Sequence, residues 1–347
     1  MRGIVFLGNR KLELREFPDP APGPGEVVLA IKASGMCGSD LHPYRAAGNA
    51  AAALGLGGGG PVIGGHEPCG VVAAVGPGAP PELAQVGARV MNHHYKGCGR
   101  CKHCRVGWSQ LCPNGFVVYG MTGHGAHAPL MKVPASTLVP LPDELSFEEG
   151  AAISCGTGTA YGALKRLDVS GRDTLAVFGQ GPVGLSATML GVAMGARVVA
   201  LDISPERLAL AREFGAAEVI NSKETDPVRA LRDLTHGEGV ETALDCTGAA
   251  AARQAAVRSA ATWGRVCFVG EGGETTFDIS KDMIRRQLTI HASWTFSAMG
   301  QEECARFIAA RRVPLKRLLT HRFTLEQAEE AYRLFDTQTT GKGVFMF

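Results

Sequence analysis

The sequence predicts an α/β chain in which a barrel-like β domain precedes a doubly wound parallel sheet. In the first 150 residues, short β-branched runs such as 26–32 and 70–76 are separated by glycine and proline, which is typical of short strands joined by long loops. From about residue 150, short apolar strands alternate with helical stretches, the pattern of a parallel sheet with helices on both faces. A length of 347 residues also favours more than one domain.

The second half can be assigned element by element. Ser146, with Glu149 three residues later, predicts a capping box at the start of a helix. The following elements are predicted in the order strand 174–178, helix 183–194, strand 197–201, helix 205–214, and strands 241–246, 264–270 and 288–292. A helix at 325–335 and a strand at 343–347 complete the chain. We predict a first domain of residues 1–150, to which 295–347 return, and a second domain of residues 151–294.

Composition excludes several classes of protein. The chain has 35 basic and 33 acidic residues, so it lacks the excess positive charge that nucleic acid or an anionic membrane would attract. Its apolar runs are much shorter than the roughly 20 residues that cross a bilayer. The N-terminal residues resemble a strand rather than a signal peptide, so we expect a cytoplasmic protein. The small-residue segment Ala46–Gly60 is predicted to be a flexible insertion loop.

A glycine-rich turn predicts a dinucleotide site. The segment from Gly179 to Gly184 reads G-x-G-x-x-G between a predicted strand and helix, and Asp202 ends the next strand. Gly179 permits a tight turn, Gly181 lets the backbone approach a pyrophosphate, and Gly184 permits close packing of helix and strand. A carboxylate at Asp202 can accept both ribose hydroxyls of NAD and would repel the 2′-phosphate of NADP. Arg207 compensates part of that charge, so NAD is expected in preference to NADP without strict exclusion.

Four of the ten cysteines lie within fifteen residues and predict a structural zinc site. Their spacing is C-x₂-C-x₂-C-x₇-C, formed by Cys98, Cys101, Cys104 and Cys112. Four thiolates in one short loop can close a tetrahedron around zinc and leave no position for water or substrate. The segment has few apolar residues, so the metal would supply its local order.

A second group of metal-capable residues is dispersed along the chain. Cys37, His66 and Cys155 each lie beside glycine, where a loop can be shaped around an ion. Cys155 follows the predicted domain boundary and could therefore approach from the opposite wall of a cleft. Taken singly, a histidine or cysteine of this kind is more often structural than catalytic.

Taken in order, these motifs resemble the zinc-containing medium-chain alcohol dehydrogenases. The series comprises Cys37-Gly-Ser-Asp, Gly-His66-Glu67, the four-cysteine lobe, Cys155-Gly-Thr-Gly-Thr-Ala-Tyr-Gly and Gly-Gln-Gly-Pro-Val-Gly. The similarity extends from Gly35 to the C-terminal strand. It implies that the first domain is a GroES-like catalytic β-barrel and that the second is a Rossmann domain that binds a dinucleotide.

The resemblance also implies roles for individual residues around two zinc ions per chain. Cys37, His66 and Cys155 would hold a catalytic zinc with the fourth position open, and the four-cysteine lobe would hold a structural one. Glu67 matches a glutamate that sits near the metal or binds it transiently. Asp40 matches the carboxylate that orients the liganding histidine.

Further matches concern proton and hydride transfer. Ser39 matches the hydroxyl that hydrogen-bonds the substrate alcohol, and His42 matches the imidazole that passes its proton towards solvent. Zinc would lower the pKa of the alcohol, and hydride would pass to the nicotinamide. Pro182 lies in the cofactor fingerprint. Val183 would pack behind the nicotinamide ring, although packing within its own helix explains it equally well.

The sequence therefore predicts a zinc- and NAD-dependent alcohol dehydrogenase that acts on secondary alcohols or ketones. A polyol or threonine dehydrogenase of the same superfamily is the alternative. A zinc-ribbon-like binding module is an alternative of another class, which the near-neutral charge and the dinucleotide motif disfavour. A zinc-free reductase that has lost catalysis is disfavoured by the intact set of Cys37, His66 and Cys155. The family also implies a homo-oligomer, dimer or tetramer, assembled through the edge of the Rossmann sheet, with no nucleic acid or membrane partner.

Overall fold

The computed structural model describes residues 1–47, 60–339 and 341–347. Of the predicted insertion loop at 46–60, residues 48–59 lie outside the described residues. Within the described part of the chain, no helix is long and apolar enough to cross a lipid bilayer.

The first large sheet is mostly antiparallel and holds strands from both ends of the chain. It has seven strands in the order β16-β17-β3-β4-β5-β9, with β8 paired to β3. Two-stranded ribbons, β1-β2 and β6-β7, flank it. The strands of this part are β1 Arg2–Gly8, β2 Lys11–Glu16, β3 Glu26–Gly35, β4 Glu67–Val75, β5 Arg89–Asn92, β6 Tyr95–Lys96, β7 Val117–Val118, β8 Leu130–Pro134, β9 Leu138–Pro140, β16 Leu319–Phe323 and β17 Lys342–Met346.

The second large sheet is parallel throughout and has six strands in the order β12-β11-β10-β13-β14-β15. This is the 3-2-1-4-5-6 order of a doubly wound nucleotide-binding sheet, with its crevice where the order reverses, between β10 and β13. The five predicted strands are confirmed, with small differences in their bounds, and β12 at one edge is a sixth strand that was not predicted. The strands of this sheet are β10 Thr174–Phe178, β11 Arg197–Asp202, β12 Glu218–Asn221, β13 Val240–Asp245, β14 Ala260–Phe268 and β15 Thr289–Ala292.

Helices begin where the local chemistry favours it. The predicted capping box is present: Ser146 Oγ accepts from Glu149 N at 3.3 Å, and Glu149 Oε2 accepts from Ser146 N at 2.9 Å. The cofactor-fingerprint helix starts at Pro182, one residue before the predicted start, because proline suits the first helical position. The helices are α1 Leu41–Arg45, α2 Phe147–Ala152, α3 Gly158–Arg166, α4 Pro182–Ala193, α5 Pro205–Glu213, α6 Pro227–Leu234, α7 Ala250–Ser259, α8 Ala298–Arg311 and α9 Ala328–Asp336.

The C-terminal strand returns to the first sheet, as expected. Strand β17 pairs antiparallel with β3, so Val344 lies opposite Gly35. Helix α9 contributes Tyr332 and Phe335 to an apolar cluster that also contains Ile4 from β1. The predicted helix at 325–335 begins as a 3₁₀ turn, Leu325–Gln327, before α9. Where one domain ends and the next begins stays a prediction.

Candidate functional site

Four side chains from three distant segments converge on one point. Cys37 follows β3, His66 and Glu67 stand at the start of β4, and Cys155 lies in a π-helical turn, Ile153–Thr157, between α2 and α3. One ligand atom from each of these four residues lies within 4.8 Å of every other. Such π turns are frequent at functional sites because they re-aim side chains out of a helix.

The separation of the two sulfur atoms decides what this cluster can hold. Cys37 Sγ and Cys155 Sγ are 3.8 Å apart. A disulfide would bring them to about 2.05 Å. Two thiolates bound to one tetrahedral zinc, each at about 2.3 Å, would lie about 3.8 Å apart. The donor set of two sulfurs and one imidazole nitrogen therefore fits zinc.

Asp40 contacts two residues of this cluster. Its Oδ2 accepts the backbone N–H of Cys37 at 2.9 Å, and its Oδ1 lies 2.9 Å from His66 Nδ1, off the direction of the ring N–H. Asp40 is 1% exposed and His66 is also buried. With Nδ1 facing the carboxylate, Nε2 is the nitrogen that faces the thiols, as a metal ligand requires.

The two predicted relay residues lie between this cluster and the surface. Ser39 Oγ is 3.1 Å from His66 Nε2, so its hydroxyl already stands beside the lone pair that a metal would take. His42, in α1, is exposed. Ser39 is therefore at the cluster and His42 is at the surface, which is the arrangement that a proton relay would need.

Glu67 is engaged by a lysine that sequence reasoning missed. Lys342 Nζ donates to Glu67 Oε1 at 2.7 Å and to the Met36 carbonyl at 3.0 Å, and it lies 2.5 Å from Glu67 Oε2. Both side chains are buried. Burial raises the pKa of Glu67 to about 8, and the charge of Lys342 opposes that rise. The available signal was a single lysine between glycines at the start of an apolar terminal strand.

The pKa values of Cys37 and Cys155 shift in opposite directions because the two thiols share one hydrogen bond. A hydrogen bond from the Cys155 thiol lowers the pKa of Cys37 well below its ordinary value and raises that of Cys155. Burial disfavours the charged form of His66, yet Asp40 and Cys37 outweigh it and raise its pKa. A divalent cation in this position would neutralise the thiolate and replace the shared proton.

The four-cysteine lobe forms a second group with metal-ligand geometry. The sulfur atoms of Cys98, Cys101, Cys104 and Cys112 all lie within 4.8 Å of one another, and Cys101 Sγ is 3.9 Å from Cys112 Sγ. Backbone N–H groups donate to two of the sulfurs at 3.4 Å. A hydrogen bond from Asn114 lowers the pKa of Cys98 to about 5. These donors stabilise thiolates, the form that binds zinc.

This lobe also contacts the segment that leads into α8. Gln110 Nε2 donates to Thr295 Oγ1 at 2.7 Å and to the Phe296 carbonyl at 2.8 Å, and the amide of Ala298 donates to the Gly107 carbonyl at 3.0 Å. Gln110 is buried. These hydrogen bonds attach the lobe to residues that follow β15, an edge strand of the parallel sheet.

The glycine fingerprint lines a crevice of 720 Å³ at the switch point of the parallel sheet. Gly179 has a φ of +87°, and a Cβ on Gly184 would stand 1.7 Å from the Gly179 carbonyl oxygen. Apart from its chain neighbours, no described residue has an atom within 4 Å of where a Cβ on Gly181 would be, so the backbone there faces open space. Pro182 lies beside it at the start of α4, whose N-terminus faces the crevice and favours an anion.

Asp202 and Arg207 lie at the same crevice. Asp202 accepts three backbone N–H groups, from Gln180 at 2.5 Å, Ile203 at 2.7 Å and Ser204 at 2.9 Å. Arg207 Nε is buried without a partner among the described residues. Burial lowers the pKa of Arg207, and the charge of Asp202 opposes this. The carboxylate is therefore fixed in orientation, and the guanidinium retains donors for a ligand.

Gly156 lies between the metal cluster and Val183, the residue after Pro182 of the crevice lining. A Cβ on this glycine would lie 3.8 Å from Val183 Cγ2 and from Lys342 Nζ, and 3.9 Å from Glu67 Oε1. Val183 therefore faces the metal cluster across the bare backbone of Gly156.

Two protein-family models match this chain. Residues 23–143 match the model described as alcohol dehydrogenase GroES-like domain, and residues 182–310 match the model described as zinc-binding dehydrogenase. An uncharacterized zinc-type alcohol dehydrogenase-like protein of Escherichia coli, YphC, is 41% identical over 100% of this chain and 99% of its own. The chain belongs to the zinc-containing medium-chain alcohol dehydrogenase family.

Other relatives and a solved structure match over nearly the same length. Sorbitol dehydrogenase of Bacillus subtilis is 31% identical over 95% of this chain and 92% of its own, and other relatives at 32% identity are named L-threonine 3-dehydrogenase. The structure of alcohol dehydrogenase TADH from Thermus sp. ATN1 superimposes with a TM-score of 0.90 at 31% identity, over 100% of this chain and 99% of its own. The predicted GroES-like and Rossmann folds are thus confirmed, as is an oxidoreductase of the zinc alcohol dehydrogenase family rather than a zinc-ribbon-like module.

Proposed function

We propose that this protein is a zinc-dependent dehydrogenase that transfers hydride reversibly between a secondary alcohol, or its ketone, and NAD. The observation that carries the proposal is the convergence of Cys37, His66 and Cys155 in one cluster, which Gly156 separates from Val183 at the start of α4. Three ligands leave a fourth tetrahedral position for a substrate oxygen, as catalytic zinc sites require. The contact between Lys342 and Glu67 supports this assignment, because the Glu67 carboxylate is engaged by the lysine and the other three residues are left as the ligands.

The chain's own residues would organise each step. When bound, zinc supplies a Lewis acid that lowers the pKa of the alcohol. Asp40 orients the imidazole of His66, and the hydroxyl of Ser39 stands where it can accept the alcohol proton. His42, at the surface, would deliver that proton to solvent. Val183 would pack behind the nicotinamide ring and so would hold the ring in position for hydride transfer.

The same crevice favours NAD as the acceptor. Gly179, Gly181, Pro182 and Gly184 would place the pyrophosphate at the N-terminus of α4. The carboxylate of Asp202, fixed by its three backbone donors, would accept the ribose hydroxyls. Arg207 lines the same crevice, and its positive charge compensates part of that of Asp202, so NADP need not be strictly excluded.

Replacing Asp202 by glycine should shift cofactor preference towards NADP. The change removes a carboxylate that repels the 2′-phosphate, and Arg207 then faces that phosphate without a counter-charge. A charged hydrogen bond of about 1.5–3 kcal/mol corresponds to a rise of about tenfold to a hundredfold in the NADP to NAD ratio of kcat/KM. Asp202→Asn is the matched variant, which keeps an acceptor oxygen but not the charge. If steady-state kinetics give an unchanged ratio in both variants, Asp202 does not bind the ribose.

A polyol or threonine dehydrogenase is the second candidate, and the relatives named sorbitol and L-threonine 3-dehydrogenase favour it. These substrates carry additional polar groups beside the reacting hydroxyl, so the distinction lies in the substrate pocket rather than in the metal ligands.

A substrate panel separates the two candidates. We expect the zinc-loaded protein to reduce NAD with 2-butanol at a higher kcat/KM than with sorbitol or L-threonine, measured by NADH absorbance. A preference for either polar substrate would replace the first candidate by the second. Protein freed of zinc by a chelator is the control. Absence of NADH formation with all three substrates, at full zinc content, would contradict the proposal as a whole.

The cellular setting follows as part of the same proposal. All ten cysteines are free, which suits a reducing compartment such as the cytoplasm. Strand β15 is an edge of the parallel sheet, and Trp263, Ile284 and Ile290 are exposed. We therefore propose a homo-oligomer, dimer or tetramer, joined at this edge. A monomeric mass in light scattering would contradict it.

A further inference from the structure

A chain of buried polar side chains extends from the metal cluster into the first domain. Beyond His66 and Asp40, the hydroxyl of Tyr332 lies 3.2 Å from Asp40 Oδ2 and 2.7 Å from His127 Nε2. The other ring nitrogen, His127 Nδ1, is 2.8 Å from Ser34 Oγ. All five side chains are buried, with at most 1% of each residue exposed.

Chemistry fixes the direction of every hydrogen bond in this chain. A carboxylate only accepts, so Tyr332 must donate its proton to Asp40. The tyrosine oxygen can then accept only from His127, which places the imidazole proton on Nε2. His127 Nδ1 is left with a lone pair and accepts the hydroxyl proton of Ser34. All donors therefore point towards Asp40, which is the carboxylate that faces His66.

The protonation states agree with this direction. Burial and the nearby Asp40 raise the pKa of Tyr332 well above its ordinary value, so the phenol keeps its proton. Burial lowers the pKa of His127 to about 4, so its ring is neutral and holds one proton only. Two neutral groups thus form a rigid polar support that adds no charge near the metal.

Packing holds both rings in the orientation that these bonds need. A Cβ on Gly65, the residue before His66, would stand 2.4 Å from His127 Nδ1, so the imidazole occupies the space that only glycine leaves. Gly65 also has a φ of +85°, which favours glycine. The Tyr332 ring packs edge-on against Phe6, with centroids 4.9 Å apart.

We infer that Tyr332 and His127 are positioning residues for the catalytic metal centre. Asp40 Oδ2 receives one donor from the backbone of Cys37 and one from Tyr332, and together these set the plane of the carboxylate whose other oxygen faces His66. Outer partners of metal-ligating histidines commonly change metal affinity by about 10- to 100-fold. Without the phenol, Asp40 keeps one fixed donor and can rotate, so His66 loses its orientation. This inference rests on the proposed function, in which His66 is a zinc ligand.

The release of zinc to a chelator tests the inference directly. Tyr332→Phe removes the hydroxyl and keeps the ring, and we expect about tenfold faster release of one of the two zinc ions. The ion of the four-cysteine lobe should leave at the wild-type rate and serves as an internal reference. Tyr119→Phe is the matched control because Tyr119 is also buried but lies in the apolar cluster of the first sheet. In cobalt-substituted protein, the visible d–d bands should shift in Tyr332→Phe and not in Tyr119→Phe.

A pair of variants at His127 covers the case in which Tyr332→Phe fails to fold. His127→Gln keeps a donor near the position of Nε2, whereas His127→Phe keeps only bulk. We expect near-wild-type zinc release in the first and faster release in the second. Equal rates in both variants, or an unchanged rate and cobalt spectrum in folded Tyr332→Phe, would overturn the positioning role. A wild-type chain that binds one zinc ion instead of two would refute the proposed function itself, and this inference with it.

Discussion

Replacing Cys37 by serine should abolish turnover while NAD still binds. Serine keeps the shape of the side chain but offers no thiolate, so His66 and Cys155 are left as two ligands, too few for a tight zinc site. We expect kcat/KM to fall by at least about 10³-fold, equivalent to about 4 kcal/mol of transition-state stabilisation. Zinc content should fall from two ions to one per chain. The glycine fingerprint lies on separate elements, so fluorescence titration should give an unchanged dissociation constant for NADH.

Cys267→Ser is the control for this substitution. Cys267 is a buried cysteine in β14 and belongs to neither group of metal-capable residues. It should keep both zinc ions and its turnover, at some cost in stability. Wild-type turnover in Cys37→Ser, or loss of NADH binding together with turnover, would contradict the role given to Cys37.

The parts of this site that the sequence could predict are those encoded within short segments. The spacing of Cys98, Cys101, Cys104 and Cys112 determines on its own that four sulfurs can meet. The geometry of the turn from Gly179 to Gly184 is likewise encoded locally. Each of its glycines is needed for the backbone conformation or the close packing of one tight turn and helix start. The convergence of Cys37, His66 and Cys155 was predicted through a family resemblance, since three isolated residues do not specify that they meet.

The residues that the sequence did not reveal act through contacts between distant segments. Lys342 meets Glu67 across 275 residues, and Tyr332 meets Asp40 across 292. Neither lies in a motif, and a tyrosine in an amphipathic helix or a histidine in a loop is usually explained by packing alone. Only the return of β17 and α9 to the first sheet brings them to the metal cluster, and that return is a property of the tertiary fold.

Element bounds differed for local physical reasons. Strand β17 begins at Lys342 rather than Gly343 because Lys342 pairs with Leu319 of β16. Strand β14 begins four residues before its predicted start, at Ala260, where it follows directly on α7. In both places, pairing with a neighbouring strand extends the strand beyond the bounds that its sequence pattern predicts.

Replacing Cys104 by serine should lower stability more than it lowers turnover. The lobe has few apolar residues of its own, so its order depends on the four sulfurs, and zinc binding to such segments supplies folding free energy. Losing one ligand should cost at least about 3 kcal/mol, which lowers the Tm of a chain of this length by about 4 °C or more. Differential scanning calorimetry with zinc analysis measures both effects. Turnover at 25 °C should fall by less than about tenfold, because no lobe sulfur belongs to the catalytic group.

The smaller loss of turnover that we expect for Cys104→Ser can be explained by a series of contacts from the lobe to His66. Gln110 bonds Thr295 and Phe296, and the Phe296 ring lies 6.0 Å from that of His94, which in turn lies 5.2 Å from that of His66. Gln110→Ala with the four cysteines intact should therefore reproduce the modest loss of turnover while both zinc ions are retained. The opposite ordering in Cys104→Ser, a large loss of turnover with little change in Tm, would mean that the roles of the two metal groups are exchanged.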